Sequence, residues 1–233
     1  MSMMLLPIAG CAAATLVAWA VRGRSSSVFA PSVWRGPSGR RSIALTFDDG
    51  PSESTPAILE ILARHKTAAT FFLCGANVDR LPGIARDIAA AGHEIGNHSY
   101  AHPYLFLQTP AAILKDLRRA QHAIAIHAGV RPQWFRAPYG ARWFGLRRAQ
   151  AELGLTGVMW TAIGYDWNLR ADEVVARMAK TANGAILCLH DGRELRVRPD
   201  TGATVEAVRR LVPMLLDQGY TFETVTRLLC PMN

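Results

Sequence analysis

Five short polar runs stand out of a chain that is half hydrophobic, and each holds residue types that do chemistry. TFDDGP, Thr46 to Pro51, sets two carboxylates side by side. Successive side chains of an extended strand point to opposite faces, so Asp48 and Asp49 meet at one rim only if the strand breaks, and Gly50 and Pro51 break it there. HSYAHP, His98 to Pro103, places two imidazoles four residues apart. On a helical turn, which Ser99 can cap, that spacing lets both reach one metal ion. In RAPYG, Arg136 to Gly140, Ala137 and Pro138 stop a strand and expose the arginine and a turn backbone. WTAIGYDWN, Trp160 to Asn168, brings Asp166 and Trp167 to a strand end. ILCLHDG, Ile186 to Gly192, is an apolar strand that delivers His190, with Asp191 read as a turn or cap residue.

Other residues of these types have plainer explanations. His122 and His127, five apart on an amphipathic stretch, read as surface residues, and His65 and His93 as structural ones. The four cysteines, Cys11, Cys74, Cys188 and Cys230, lie far apart with no CxxC pair, which excludes a disulfide scaffold and a cysteine zinc site. Cys74 and Cys188 sit in apolar runs and read as small buried hydrophobes.

The elements that must position the five runs follow from hydrophobic periodicity. Strands are expected at Ile43 to Phe47, Ala69 to Leu73, Glu94 to Asn97, Trp134 to Arg136, Thr156 to Thr161, Ala185 to Leu189 and Tyr220 to Glu223. Helices are expected at Thr55 to His65, Pro82 to Ala91, Pro110 to Ala128, Phe144 to Leu153, Ala171 to Thr181 and Gly202 to Gln218. Repeated strand-then-helix order argues for parallel strands with crossover helices, and closing seven strands gives a barrel; an open doubly wound sheet is the other arrangement. No GxGxxG or GxxxxGK[ST] opens a helix, so nucleotide binding has no support. Five polar clusters at the carboxyl ends of five parallel strands lie where a barrel enzyme keeps its site.

In order and approximate spacing, TFDDGP, HSYAHP, RAPYG, the DW of YDW and LHDG resemble the polysaccharide deacetylases, carbohydrate esterase family 4, whose catalytic unit is the NodB homology domain. The resemblance covers about residues 42 to 229. It implies a distorted (β/α) barrel of about seven parallel strands, and a hydrolase that removes N-acetyl groups from N-acetylglucosamine-containing polymers such as peptidoglycan or chitin. It also implies a divalent metal, zinc first, with cobalt or manganese as alternatives. Position by position, the ligands are Asp49, His98 and His102; Asp48 is the general base with Arg136 beside it; His190 is the general acid with Asp166 raising its proton affinity. The oxyanion would be held by the metal and by a backbone N–H in the turn of RAPYG, that of Tyr139 beyond Pro138, and Trp167 with Leu189 would wall the acetyl methyl. Two positions depart from the pattern: Ile163 stands where the family often has an aspartate three residues before Asp166, and Cys188 where an aliphatic is common. A same-fold hydrolase of a non-polymeric or lipid-linked amide, and an inactive carbohydrate-binding homologue, are the alternatives.

Residues 1 to 21 carry no charged side chain, and Arg22 and Arg24 follow at once. The segment reads as a membrane anchor, spanning with residues 3 to 21, or as a signal peptide cleaved at the AxA-like Ala18 to Ala20. Residues 25 to 41, rich in Ser, Pro, Gly and Arg, read as a linker, which together with Arg22 to Arg24 puts the start of the catalytic domain at Ser42. The positive-inside tendency places the domain in the cytoplasm, whereas a cell-wall substrate places it in the envelope; the envelope is the expected location. Net charge is +8, nearly all from arginine, and with no supporting motif it indicates neither nucleic acid nor a protein partner.

Overall fold

The computed structural model describes residues 14–230. Nine strands form one parallel sheet: β1 (Ser32–Val33), β2 (Ser42–Gly50), β3 (Thr70–Leu73), β4 (Glu94–Asn97), β5 (Trp134–Phe135), β6 (Thr156–Val158), β7 (Ala162–Ile163), β8 (Ile186–His190) and β9 (Thr221–Phe222). Their spatial order is β1-β6-β5-β4-β3-β2-β8-β7, with β9 pairing to the start of β2. The helices are α1 (residues 14–22), α2 (Thr55–Arg64), α3 (Gly75–Arg80), α4 (Pro82–Ala90), α5 (Pro110–Ala128), α6 (Leu146–Leu153), α7 (Ala171–Met178), α8 (Gly202–Asp217) and α9 (Val225–Leu229).

Alternation along β2 explains how the sheet is packed. Ile43, Leu45 and Phe47 face the helices, joining Phe71, Leu187, Ile58 and Leu211 in the main core. Ala44 faces the barrel interior with Phe72, Val158 and Ile186, and α9 plugs that end through Val225 and Leu228. All nine β2 residues are buried, as expected of a parallel strand covered on both faces. By the same parity Thr46 and Asp48 point inward, Asp48 being nearer the mouth. The distorted (β/α) barrel expected from the sequence is therefore the fold, with all seven anticipated strands present and two short ones, β1 and β7, added.

Those additions differ most from the reading of residues 25–41 as a linker. Ser32 and Val33 pair with Gly157 and Val158, Arg35 bridges to Ala185, and Gly36 donates to the Gly184 carbonyl at 2.7 Å. The segment spans from β6 to the foot of β8 and so bridges the two ends of the sheet. Upstream, Arg142, 2% exposed, donates its guanidinium to the carbonyls of Gly23 and Ser26 and its backbone N–H to the Val21 carbonyl. This stretch is held on the domain by backbone groups, which composition does not report. Two helices were also not anticipated: α3 is a six-residue turn of helix behind apolar Cys74, and α9 is five residues long. Cys74 and Cys188 are free and buried, and Cys230 is free and exposed. His93 is structural as expected, accepting from the Ala69 N–H at 3.3 Å.

Among the described residues no helix is long and apolar enough to cross a membrane. Most of the segment read as an anchor or signal, together with Cys11, lies outside the described residues.

The closure by residues 32–36 makes Gly184 a point of sensitivity. Its φ is +75°, and a Cβ there would lie 2.4 Å from the Gly36 carbonyl oxygen. Gly184→Ala should therefore lower stability by about 1–3 kcal/mol, read as a lower urea midpoint at unchanged slope; wild-type stability would show that the bridge does not hold the barrel.

Candidate active site

The break that TFDDGP requires is a β-bulge. Asp48 pairs with Phe72 and Gly50 with Leu73, leaving Asp49 as the extra residue, at φ 73°. The bulge turns Asp49 into the same mouth as Asp48. Gly50 is forced by the loop that follows β8: a Cβ would stand 2.2 Å from Asp191 Oδ2.

Asp49, His98 and His102 converge. His98 Nε2 is 3.3 Å and His102 Nε2 3.1 Å from Asp49 Oδ1, and all three side chains are buried. Asp49 Oδ2 accepts the Glu194 N–H at 2.9 Å, whereas Oδ1 has no hydrogen-bond donor among the described residues. His98 Nδ1 lies 2.8 Å from the Arg136 carbonyl oxygen, which can only accept, so Nδ1 carries the proton and Nε2 offers its lone pair. Donors held at about 2.0–2.1 Å from a tetrahedral ion stand about 3.3 Å apart. An unsatisfied carboxylate oxygen facing imidazole nitrogens at that spacing fits a divalent cation.

The two histidines do not sit on a helical turn. Residues 98–104 are irregular, with Ser99 at φ 67° and His102 at φ 51°. The loop is held by side chains: Asn97 Oδ1 accepts the Ser99 N–H at 2.7 Å, Ser99 Oγ accepts the His102 N–H at 3.0 Å, and Asp116 of α5 accepts the N–H groups of Tyr100 and Ala101, both at 3.1 Å. Ser99 thus does cap the turn, though not a helix.

Beside this cluster, Asp48 Oδ1 takes a 2.7 Å hydrogen bond from Arg136, whose side chain, expected to be exposed at its strand end, is instead wholly buried because it turns into the barrel interior to meet this carboxylate. Asp48 Oδ2 lies 3.4 Å from the Cys188 thiol. At the end of β8, His190 Nδ1 bonds Asp166 Oδ1 at 2.9 Å, and the His190 backbone N–H bonds Oδ2 at 2.9 Å. Thr204 of α8 donates to Asp166 Oδ2, and Arg193 binds the Asp166 carbonyl at 2.8 Å. Thr204, Arg193 and Asp116 were not legible as site residues, because each acts on a neighbour and none falls in a polar run with a recognisable spacing. Burial opposes a charge on His190; Asp166 more than offsets it and raises the imidazole to about 9.

A cleft of about 960 Å³ exposes these groups, lined by Asp48, Asp49, His98, His102 and His190 with Tyr139 and Trp167 at its sides. Trp167 stands edge-on to His190 at 4.8 Å, and Tyr139, at φ 57°, edge-on to His102 at 4.5 Å. Leu189 departs from expectation: it lies one residue from Cys188 and His190, so strand parity turns it to the helices, where it is fully buried away from the cleft lining. Pro138 is likewise buried and outside the lining. Asp191, read as a turn or cap residue, stands at a bend as a buried carboxyl that accepts from the Thr55 hydroxyl at 2.6 Å, and burial pushes it up to about 7. At Ile163 the hydrogen bonds to Asp166 come instead from Thr204 and Arg193.

A family model described as polysaccharide deacetylase matches residues 35–158. The chain is 35% identical over 206 residues to the peptidoglycan-N-acetylglucosamine deacetylase PgdA of Listeria monocytogenes, covering 87% of this chain and 42% of that protein, so it spans about two fifths of that relative's length. It is 35% identical over 201 residues to a chitooligosaccharide deacetylase of Bradyrhizobium sp., covering 82% of this chain and 92% of that protein. The solved structure of the Bc1960 peptidoglycan N-acetylglucosamine deacetylase superposes with a TM-score of 0.79 at 30% identity, over 85% of this chain and 92% of that one.

The His190–Asp166 pair gives a direct test in the metal-free protein. His190 should stay an imidazolium through neutral pH and lose its proton as pH rises through about 9, followed by the NMR shift of its ring carbons. Asp166→Asn removes the nearest opposing charge and leaves burial against the remaining pull of Asp49 and Asp48, so the midpoint should fall toward the ordinary histidine value. A midpoint unmoved by that change would show that Asp166 does not set the charge of His190.

Proposed function

The chain belongs to the polysaccharide deacetylase family, and on that premise we propose that it hydrolyses N-acetyl groups of an N-acetylglucosamine-containing glycan, with one divalent ion held by Asp49, His98 and His102. The observation that carries this reading is the meeting of one carboxylate and two imidazole donor atoms, an Asp48–Arg136 pair and a His190–Asp166 pair in one cleft. Zinc suits a carboxylate with two imidazoles, and cobalt or manganese would serve the same set. When bound, the ion would polarise the acetyl carbonyl and make water a better nucleophile.

The protein's own groups divide the remaining work. Asp48, kept in place by Arg136, takes a proton from the attacking water as the new C–O bond forms at the acetyl carbon. The backbone N–H of Tyr139 faces the oxyanion that develops, and Trp167 flanks the acetyl methyl. Collapse breaks the C–N bond, and His190 passes its proton to the departing nitrogen, so the products are acetate and a free amine on the sugar. His190 is suited to this because Asp166 keeps it cationic at neutral pH.

Acetate release from chitin oligomers or peptidoglycan tests the reading. Chelation should abolish it, and zinc, cobalt or manganese should restore it; undiminished release under a strong chelator would refute the metal role. Asp48→Asn keeps an acceptor for Arg136 and should retain the metal while losing about 10²–10⁴ in rate, whereas Asp49→Asn should weaken metal binding itself. Equal metal loss in the two variants would mean that the carboxylate roles are exchanged.

The reading also places the protein outside the cytoplasmic membrane, since relatives are named for acting on peptidoglycan. A carboxyl-terminal alkaline phosphatase fusion should be active. Activity confined to a reporter that works only in the cytoplasm would place the domain inside.

A further inference from the structure

The cleft carries positive charge that the catalytic groups do not use. Arg22, Arg24 and Arg196 line it, and all three are exposed. Arg22 donates to the Tyr139 carbonyl at 3.2 Å; Arg24 donates to the Thr161 carbonyl and lies over the Trp34 ring, 4.9 Å from its centroid. Among the described residues none of the three is paired with a carboxylate. Arg136 and Arg193, by contrast, are matched to Asp48 and Asp166. Two acids share the rim, Glu194 and Asp200, and each already accepts a donor: Glu194 the Tyr139 hydroxyl at 3.1 Å, Asp200 the Gly202 N–H at 3.1 Å.

Arg22 and Arg24 are also fixed in place. The stretch that bears them is gripped by Arg142 through the carbonyls of Gly23 and Ser26 and through Val21, so the two guanidiniums stand on the cleft wall and not on a loose tail. A single carbonyl occupies only a small part of a guanidinium's five donors. Each remaining fork suits a planar or tetrahedral oxyanion, and holding it in advance lowers the ordering cost of binding.

We infer that this wall binds an anionic group of the substrate, a carboxylate or phosphate borne by a sugar beside the one that is deacetylated, and that the enzyme therefore favours acidic over neutral glycan. The inference rests on the deacetylase reading above. Arg22 touches the residue whose N–H faces the oxyanion, so the bound anion lies close to the reacting sugar.

The test compares three tetrasaccharides with the zinc-loaded full chain: neutral chitotetraose, the same oligomer bearing a 6-phosphate, and a peptide-free peptidoglycan fragment bearing lactyl carboxylates. The acidic-to-neutral ratio of kcat/KM should exceed one, mainly through KM, and should shrink between 50 and 500 mM salt. Arg22→Gln with Arg24→Gln should lower the ratio about tenfold, and Arg196→Gln, held by a different loop, should lower it independently. Preference for the carboxylate or for the phosphate alone supports the inference and identifies the anion. A ratio near one, or one unmoved by all three substitutions, overturns it. If none of the glycans is hydrolysed, the deacetylase reading fails, and calorimetric binding of the same three still decides: weaker binding of the acidic ones by the double variant supports the anion site, and equal binding overturns it.

Discussion

A guanidinium with no solvent exposure sits in the interior of this barrel, and the mouth is arranged around satisfying it. Arg136 gives its side-chain N–H groups to Asp48, to Thr46 at 2.8 Å, to the Val158 carbonyl at 3.2 Å and to the Met159 carbonyl at 3.4 Å, and its plane lies 4.1 Å from the Phe72 ring. Leaving such a charge unpaired in the interior costs several kcal/mol, so β2, β5 and β6 must keep their registers for it to survive. The same residue's backbone carbonyl orients His98, and its backbone N–H binds the Asn97 carbonyl at 3.0 Å. One buried side chain thus ties Asp48 to the loop that bears His98 and His102. The two parts of the site cannot drift apart without breaking the core.

Strain is concentrated where the chemistry is. Asp49, Ser99, His102, Tyr139, Tyr165 and Glu194 all have left-handed backbone; Asp49 is the bulge near the end of β2, and the others lie in the segments that follow strands. Each costs of order 1–3 kcal/mol unless its surroundings determine it. Here they do: Asn97, Ser99 and Asp116 hold the histidine loop, and Asn77 donates to the carbonyls of both Asp49 and Glu194 at 2.8 Å. These are interactions of side chains with backbone, which fix a loop without asking for a regular element. They allow Asp48 and Asp49, neighbours in sequence, to present different edges to one cleft.

The barrel was legible because burial on both faces of a parallel strand demands runs such as Ile43 to Phe47 and Ile186 to Leu189, and amphipathic helices between them show their period. The polar residues of the cleft were legible because they stand at the ends of those runs, where an apolar pattern turns polar. What stayed hidden shares one cause. β1 pairs through its backbone, so Ser32 and Val33 carry no mark of it; Arg142 grips carbonyl oxygens that every residue has; Thr204 and Arg193 reach Asp166 from 38 and 27 residues away in the chain. Leu189 was misplaced for a different reason: one residue along a strand reverses the face, and nothing in the identity of leucine says which side the cleft is on.

The site's two ion pairs have opposite polarity within one cleft, which suits the complementary proton-transfer roles proposed for Asp48 and His190. In one pair the acid faces the cleft and the arginine lies beneath it; in the other the imidazole faces the cleft and the carboxylate lies beneath. The hidden partner is in each case the more buried one, Arg136 and Asp166 having no exposed side-chain surface. Solvent therefore reaches only the group that must exchange a proton, and the counter-charge keeps its full effect in the dry interior. For His190 this arrangement raises the imidazole of the metal-free protein to about 9. The proposed metal ligands would need no such counter-charge from the protein, since a bound cation would supply it, and this accords with Asp49 Oδ1 facing two imidazoles with no donor of its own among the described residues.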